Sequence, residues 1–399
     1  MKRAKTYDEV RPLIELCKGG RLFDVQAWIA AGKPVNPPEP LQTGHRKRSP
    51  LECAIDAGFH SLVQVLLEGG AAIEETDRYS TMKHALWDGQ YEIAKLLVVH
   101  EADVKKVDME DVFATWNTDL MEYFIDHGGD VETSNPIAHA FCQRIRTALK
   151  IYRRYEDRFP SFREQANIAL RYHCKEGDLK WVSLMLWLGA EPYSKGPDEP
   201  SHAPDPDIDG TAFHAAALHG QDQVLGMKKM PLDVKHESCR DLLQTACIGR
   251  SAAVVKRLLA LGFPANDLPT GGSSHVERIL SGMHPWTFRG ADTLDMEGPR
   301  AKLAMLQVLV QHGARWLPTD GREMNWIRRG LLSTPADQTL GVIRIMSANR
   351  ACERRAIEAL LKTPTMQAHM VKHMTEIEGL ILRLPVKMGG LMETNGMGR

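Results

Sequence analysis

Ser49-Pro50-Leu51-Glu52-Cys53-Ala54-Ile55-Asp56-Ala57-Gly58, followed by Leu62-Val63-Gln64-Val65-Leu66-Leu67-Glu68-Gly69-Gly70-Ala71, is the stretch whose reading decides the fold. It reads as a helix of small residues, a Gly turn, a second apolar helix and a closing Gly-Ala. The phrase returns along the chain with a period of roughly 33 residues, the mark of a stacked helical repeat. Such stacks present long concave surfaces and tend to bind rather than catalyse.

Working outward, Val10 to Cys17 and Leu22 to Ala31 form a first unit around Gly19-Gly20. A third has Ala85-Leu86-Trp87-Asp88-Gly89 and then Ile93 to Leu97. A worn fourth runs from Val112 to Val131. The period then breaks at 135–160, read as an inserted helix from Ile137 to Tyr155. It resumes at Ala169 to Ala190, again at Gly210 to Met230, and again at Leu242 to Asn266. Stretches 193–208 and 268–300 read as further irregular insertions, the first as a loop or mobile flap. The outer helix Leu303 to Gln311 closes on Gly313-Ala314. The expected organisation is therefore N-terminal repeats over 1–134, the insertion 135–160, central repeats over 161–316, degenerate helical repeats over 317–384, and a flexible tail over 385–399.

Thr211-Ala212-Phe213-His214-Ala215-Ala216-Ala217-Leu218-His219-Gly220 follows the phrase Thr-Pro-Leu-His-x-Ala-Ala-x-x-Gly at almost every position. Ser49 to Ala71 follows it nearly as well, and Val254 to Asn266 matches its second half. On these residues the chain resembles the ankyrin-repeat family, across about two thirds of its length. It departs from the family where most units lack the full Thr-Pro-Leu-His; the third has Ser80-Thr81-Met82-Lys83 there. The resemblance implies an all-α solenoid of about eight or nine irregular repeats. It implies that Gly58, Gly89, Gly177, Gly220 and Gly249 end inner helices in left-handed turns, and that His214 bonds neighbouring backbone.

It also implies where a partner sits, at hairpin tips and at the two variable positions before each inner-helix Gly. In this sequence those are Arg46, Arg48 and Tyr79 on the hairpin side. On the helices they are Asp56, Trp87, Asp88, Lys175, Glu176, Leu218, His219, Cys247 and Ile248. Trp87 stands out, since a large exposed aromatic has hot-spot character; packing against the next unit is its other reading. Trp181 and Trp187 read as core on an outer helix.

Other chemistry is weakly signalled. His369 and His373 have i, i+4 spacing on one helix, but Met370 replaces the Glu that a zinc-protease motif needs. Gly271-Gly272-Ser273-Ser274 lacks the Lys of a phosphate loop, and no Gly-x-Ser-x-Gly elbow occurs. No catalytic residue, metal, cofactor or small-molecule substrate is expected. Arg144, Arg146, Lys150, Arg153, Arg154, Arg158 and Arg163, interleaved with Tyr152 and Tyr155, make nucleic acid the alternative partner. The acidic loop from Asp198-Glu199 to Asp209 either folds over that helix or is disordered.

The chain has 399 residues, with 43% hydrophobic and 25% charged side chains, the proportions of a folded protein rather than a disordered one. Its 50 basic and 51 acidic residues leave a net charge of -1, so no global pull toward polyanions exists. Seven cysteines without a Cys-x-x-Cys pair read as small buried hydrophobes in a reducing compartment. No apolar leader or span is visible, and the expected location is the cytoplasm, or export as an effector. The function expected is recognition of a partner protein as an adaptor or inhibitor.

Overall fold

The computed structural model describes residues 3–39, 48–76, 79–205, 209–249, 251–266, 274–283, 297–316 and 321–387. They are mostly helical, and the chain is all-α; its only strands among the described residues are β1 (Glu75–Thr76) and β2 (Tyr79–Ser80), an antiparallel pair with Thr76 opposite Tyr79. The chain divides into two compact units, Met1–Ala169 and Leu170–Arg399.

In the first unit the helices run α1 (Tyr7–Lys18), α2 (Leu22–Ala30), α3 (Pro50–Asp56), α4 (His60–Glu68), α5 (Thr81–Trp87) and α6 (Tyr91–Val99), then α7 (Met109–Ala114), α8 (Thr118–Asp126), α9 (Pro136–Cys142) and α10 (Thr147–Tyr155). Each odd helix pairs with the even one after it, and α1, α3, α5, α7 and α9 pack in succession. Helix α11 (Ser161–Glu176) carries the chain across the boundary at Ala169.

The second unit continues with α12 (Leu179–Trp187), α13 (Ala212–Leu218), α14 (Asp222–Leu225), α15 (Leu242–Ile248), α16 (Ala252–Leu261) and α17 (His275–Ser281). It ends with α18 (Glu297–Gln311), α19 (Gly321–Leu332), α20 (Ala336–Ala348), α21 (Arg354–Leu361), α22 (Pro364–Met370) and α23 (Met374–Ile381). Here α13, α15, α17 and α19 form the inner row, and α12, α14, α16, α18 and α20 the outer one.

The sequence explains the inner rows. Ala54, Ala216 and Ala217 are fully buried, and side chains this small let neighbouring helices approach. Leu66, Leu97 and Leu258 fill the space between inner and outer rows; burying each contributes about 1.5–3 kcal/mol. Three inner helices start with the same reciprocal cap. Ser49 and Glu52 exchange bonds of 3.2 Å, Ser274 and Glu277 do so at 3.2 and 2.7 Å, and Thr211 and His214 at 3.4 and 3.2 Å. His214 thus bonds the Thr211 backbone N–H, the role its position implied.

One side chain fixes the step between pairs. Asn36 donates to Gly70 O at 2.8 Å and accepts from Ala72 N at 2.7 Å. In the second unit Asn266 does the same to Gly313 O at 2.9 Å and Arg315 N at 2.8 Å.

Several expectations differ from the structure. The helix expected over Ile137 to Tyr155 is two, α9 and α10, because Arg144 between them takes a left-handed φ of 63°. The pair packs on α7 and α8 as another step of the stack. The stretch 268–300 contains a capped inner helix, α17, and the first turn of α18. Trp181 is buried as expected, but Trp187 is 59% exposed. Gly249 keeps φ at -59°; its lack of a Cβ serves close approach instead, for a Cβ there would stand 2.6 Å from Leu218 O. Of the tail, only Pro385 to Lys387 lie within the described residues. No described helix is long and apolar enough to cross a membrane.

Gly177 and Gly189 separate the two reasons for glycine. Both have positive φ, at 75° and 90°. A Cβ at Gly189 meets nothing, whereas one at Gly177 collides with the Gln221 amide, which is tied to Lys175 O at 2.9 Å. In urea unfolding, Gly189→Ala is expected to cost about 1 kcal/mol. Gly177→Ala is expected to cost about 1 kcal/mol more, from the displaced hydrogen bond. Equal losses would show that the Gln221 contact contributes nothing.

Candidate functional site

The first unit exposes the C-terminal ends of its inner helices. Asp56 ends α3, and Trp87 ends α5 with Asp88 after it; all three are exposed. They are joined by a chain of polar contacts across the helices. Arg48 and His84 both bond the Asp56 carboxylate, and His84 Nε2 lies 3.4 Å from Asp88. Asp56, His84 and Asp88 are close enough together to hold a metal. The Arg48 guanidinium already supplies positive charge there, and we read the cluster as an ion-pair knot between α3 and α5.

Trp87 is 69% exposed, so it does not pack into the next unit. It is nevertheless fixed. Its Nε1 donates to Asp111 of α7 at 3.0 Å, and Lys83 Nζ sits 4.7 Å from the ring centroid while bonding Asp111 at 2.9 Å. A large apolar surface is thus held in one orientation before any partner arrives, which lowers the entropy lost on binding. Arg46 lies outside the described residues, as does the side chain of Tyr79.

The second unit carries a cavity of about 860 Å³ on the face of α11, α13, α15 and α17. Leu218 and Ile248, two of the residues expected at a partner site, line it and are 39% and 49% exposed. Its other wall is the segment 192–205. Arg171, buried in α11, donates to Pro197 O at 2.7 Å and Ser194 O at 3.2 Å. Lys175 holds Glu199 at 2.6 Å and Asp198 at 3.4 Å. Of the two readings of this segment, loop or mobile flap, the structure shows a loop, tied down as a strap by charged anchors, and Lys175 is its anchor point rather than an open contact. Pro206 to Ile208 lie outside the described residues.

Glu176 and His219 are exposed beside this strap. Partial burial, and then the Lys175 charge, hold the His219 pKa below the ordinary imidazole value. Cys247 is fully buried and is removed from the candidate surface; burial pushes its thiol up to about 12. The position before a Gly fails here because Gly249 comes one residue sooner after its N-cap than Gly58 or Gly220, so Cys247 takes the register position of the buried Ile55 and Ala217; Lys302 of α18 caps the Cys247 and Ile248 carbonyls at 2.5 and 2.8 Å. The seven cysteines are all free, and six are buried.

The alternative sites lose their geometry. Tyr152 and Tyr155 are buried rather than offered to bases, and Arg154 and Arg158 are bound to Glu122 and Asp126 at 2.7 and 3.2 Å. His369 and His373 do not share one α-helix, because α22 stops at Met370 and a 3-10 turn follows; His373 bonds Asp337 at 3.2 Å. Of the Gly271 to Ser274 stretch, Ser274 is the α17 cap and the rest lies outside the described residues.

Three features escaped the sequence reading. His214 Nε2 bonds Asp241 at 3.0 Å, and that bond holds the Asp241 carboxyl below its usual pKa. Asp111 fixes Trp87 from α7. Arg278 lines the cavity from a helix hidden in the 268–300 stretch. Of these only His214 had a visible signal, in the Thr-Ala-Phe-His phrase, and that signal pointed to neighbouring backbone rather than to Asp241. Compared with known proteins, the chain matches no family model and no curated protein.

The strap makes a pH prediction. The Lys175 hydrogen bond lowers the Glu199 pKa. Burial alone would lower that of Lys175, but Glu199 and Asp198 outweigh it and raise it. Glu199 therefore protects the strap fully above the unfolded Glu value of about 4.3, and the protection fades as pH falls through the depressed value. Glu199→Gln is expected to speed amide exchange at Gly196 and His202 at neutral pH by about two- to fivefold, leaving α16 unchanged. Unaltered exchange would mean that the ion pair does not hold the strap.

Proposed function

We propose that this chain is a non-catalytic protein-binding protein of ankyrin-repeat type, acting as an adaptor or inhibitor through the open faces of its inner helices. The observation that carries the reading is Trp87, exposed yet held by Asp111 and Lys83. Aromatic side chains in such positions dominate interface energetics, because they add large apolar area while losing little freedom on binding. Support for the repeat type comes from three inner-helix caps in one register and from the twin bonds of Asn36 and Asn266. The cytoplasm is the location that goes with seven free thiols.

The test is a titration. A protein captured on the full chain from its own cell lysate is purified and titrated against wild type and Trp87→Ala. The expected loss is about 2 kcal/mol, or roughly 30-fold in Kd, with Trp87→Phe recovering part of it. An affinity unchanged by Trp87→Ala, or no captured protein at all, contradicts the proposal.

A further inference from the structure

The cavity of the second unit is unevenly satisfied. Four aspartates line it, Asp198, Asp205, Asp209 and Asp241; Asp198 is engaged by Lys175 at 3.4 Å, Asp241 by His214 at 3.0 Å, and Asp209 by the Asp205 N–H at 2.9 Å. Arg171, Lys195 and Arg278 are its Lys and Arg side chains; Arg171 is bonded to the strap carbonyls, whereas Arg278 makes no side-chain hydrogen bond or ion pair among the described residues, and its Nε is buried. A buried guanidinium N–H without an acceptor has lost water and gained nothing in return.

Register places Arg278 in a row. Counting four residues from each N-cap gives Ala215 on α13, Thr245 on α15 and Arg278 on α17. Counting seven gives the exposed Leu218 and Ile248.

We propose that this cavity receives an acidic segment of the partner protein, with one Asp or Glu carboxylate on Arg278 and apolar neighbours against Leu218 and Ile248. The inference rests on the reading of the chain as a protein-binding protein. The planar guanidinium suits a carboxylate through two parallel bonds. The acidic wall sets the limit on charge. Asp198, Asp209 and Asp241 repel a polyanion that brings a charge at every residue, but tolerate a single carboxylate flanked by apolar groups.

The experiment selects random 12-residue peptides, displayed on phage, against the immobilised full chain. The wild type is expected to enrich peptides with Asp or Glu beside Leu, Ile or aromatic residues. Arg278→Gln is expected to weaken the best peptide about tenfold or more, with an unchanged thermal melt, and Arg278→Glu to shift the enriched pool toward Lys and Arg. An acid-blind pool, no enrichment, or an acid preference that survives Arg278→Glu overturns the inference. So does an oligouridylate that binds the cavity more tightly than the peptides. A partner that still depends on Trp87 while the pool is acid-blind sinks this inference and leaves the function standing.

Discussion

The amide of Asn36 joins one helix pair to the next by holding both a carbonyl and an N–H of the following turn, at Gly70 and Ala72. Among the described residues the contact occurs once in the first unit, between its first and second helix pairs, and once in the second unit, at Asn266. A pair such as α3 and α4 is too short to bury its own apolar stripe; its Leu62, Leu66 and Ile55 are covered only because neighbours stack on both sides. The amide is nearly as buried as the leucines around it, and an unsatisfied amide there would cost about 1–3 kcal/mol. The bond therefore sets the spacing as well as adding stability. Asn266 repeats it across a longer excursion, from Gly262 to Gly313, so the geometry survives when the intervening length changes.

Stacking of this kind leaves the ends of the inner helices open, and the chemistry of the chain collects there. In the first unit an ion-pair knot and a clamped tryptophan occupy that face. In the second, a charged strap borders a cavity in which Arg171 is bonded and Arg278 has no side-chain partner among the described residues. Thr211 and His214 touch at 2.8 Å between Oγ1 and Nδ1; both line the cavity, and the buried Thr211 hydroxyl accepts the His214 backbone N–H as the cap of α13.

The fold was largely legible because its constraints are local. Small residues before a Gly, and paired leucines after it, leave few other ways to fold, and Gly58, Gly89, Gly177 and Gly220 do take left-handed φ. The missed helix α17 shows the limit. His275-Val276-Glu277-Arg278-Ile279-Leu280 has no small residue, and its closing Gly282 stays at a φ of -85°, so neither signal was present. The break at Arg144 was hidden for a related reason: a non-Gly residue takes the left-handed turn. The candidate site was less legible than the fold. Exposure of Trp87, Leu218 and Ile248 follows from counting seven residues from the N-cap, whereas counting back from Gly249 misplaces Cys247, because that Gly comes one residue early. Lys175 was hidden for another reason, since its partners lie on the strap rather than on its own helix.

The most direct test of this account is hydrogen exchange on the full chain carrying Asn36→Ala. If neighbouring pairs hold one another in place, protection falls most in α1 to α4, which flank the lost bond, and fades along the first unit toward α9. Uniform loss across the unit, or no loss at all, would contradict a stack whose neighbouring pairs hold one another in place.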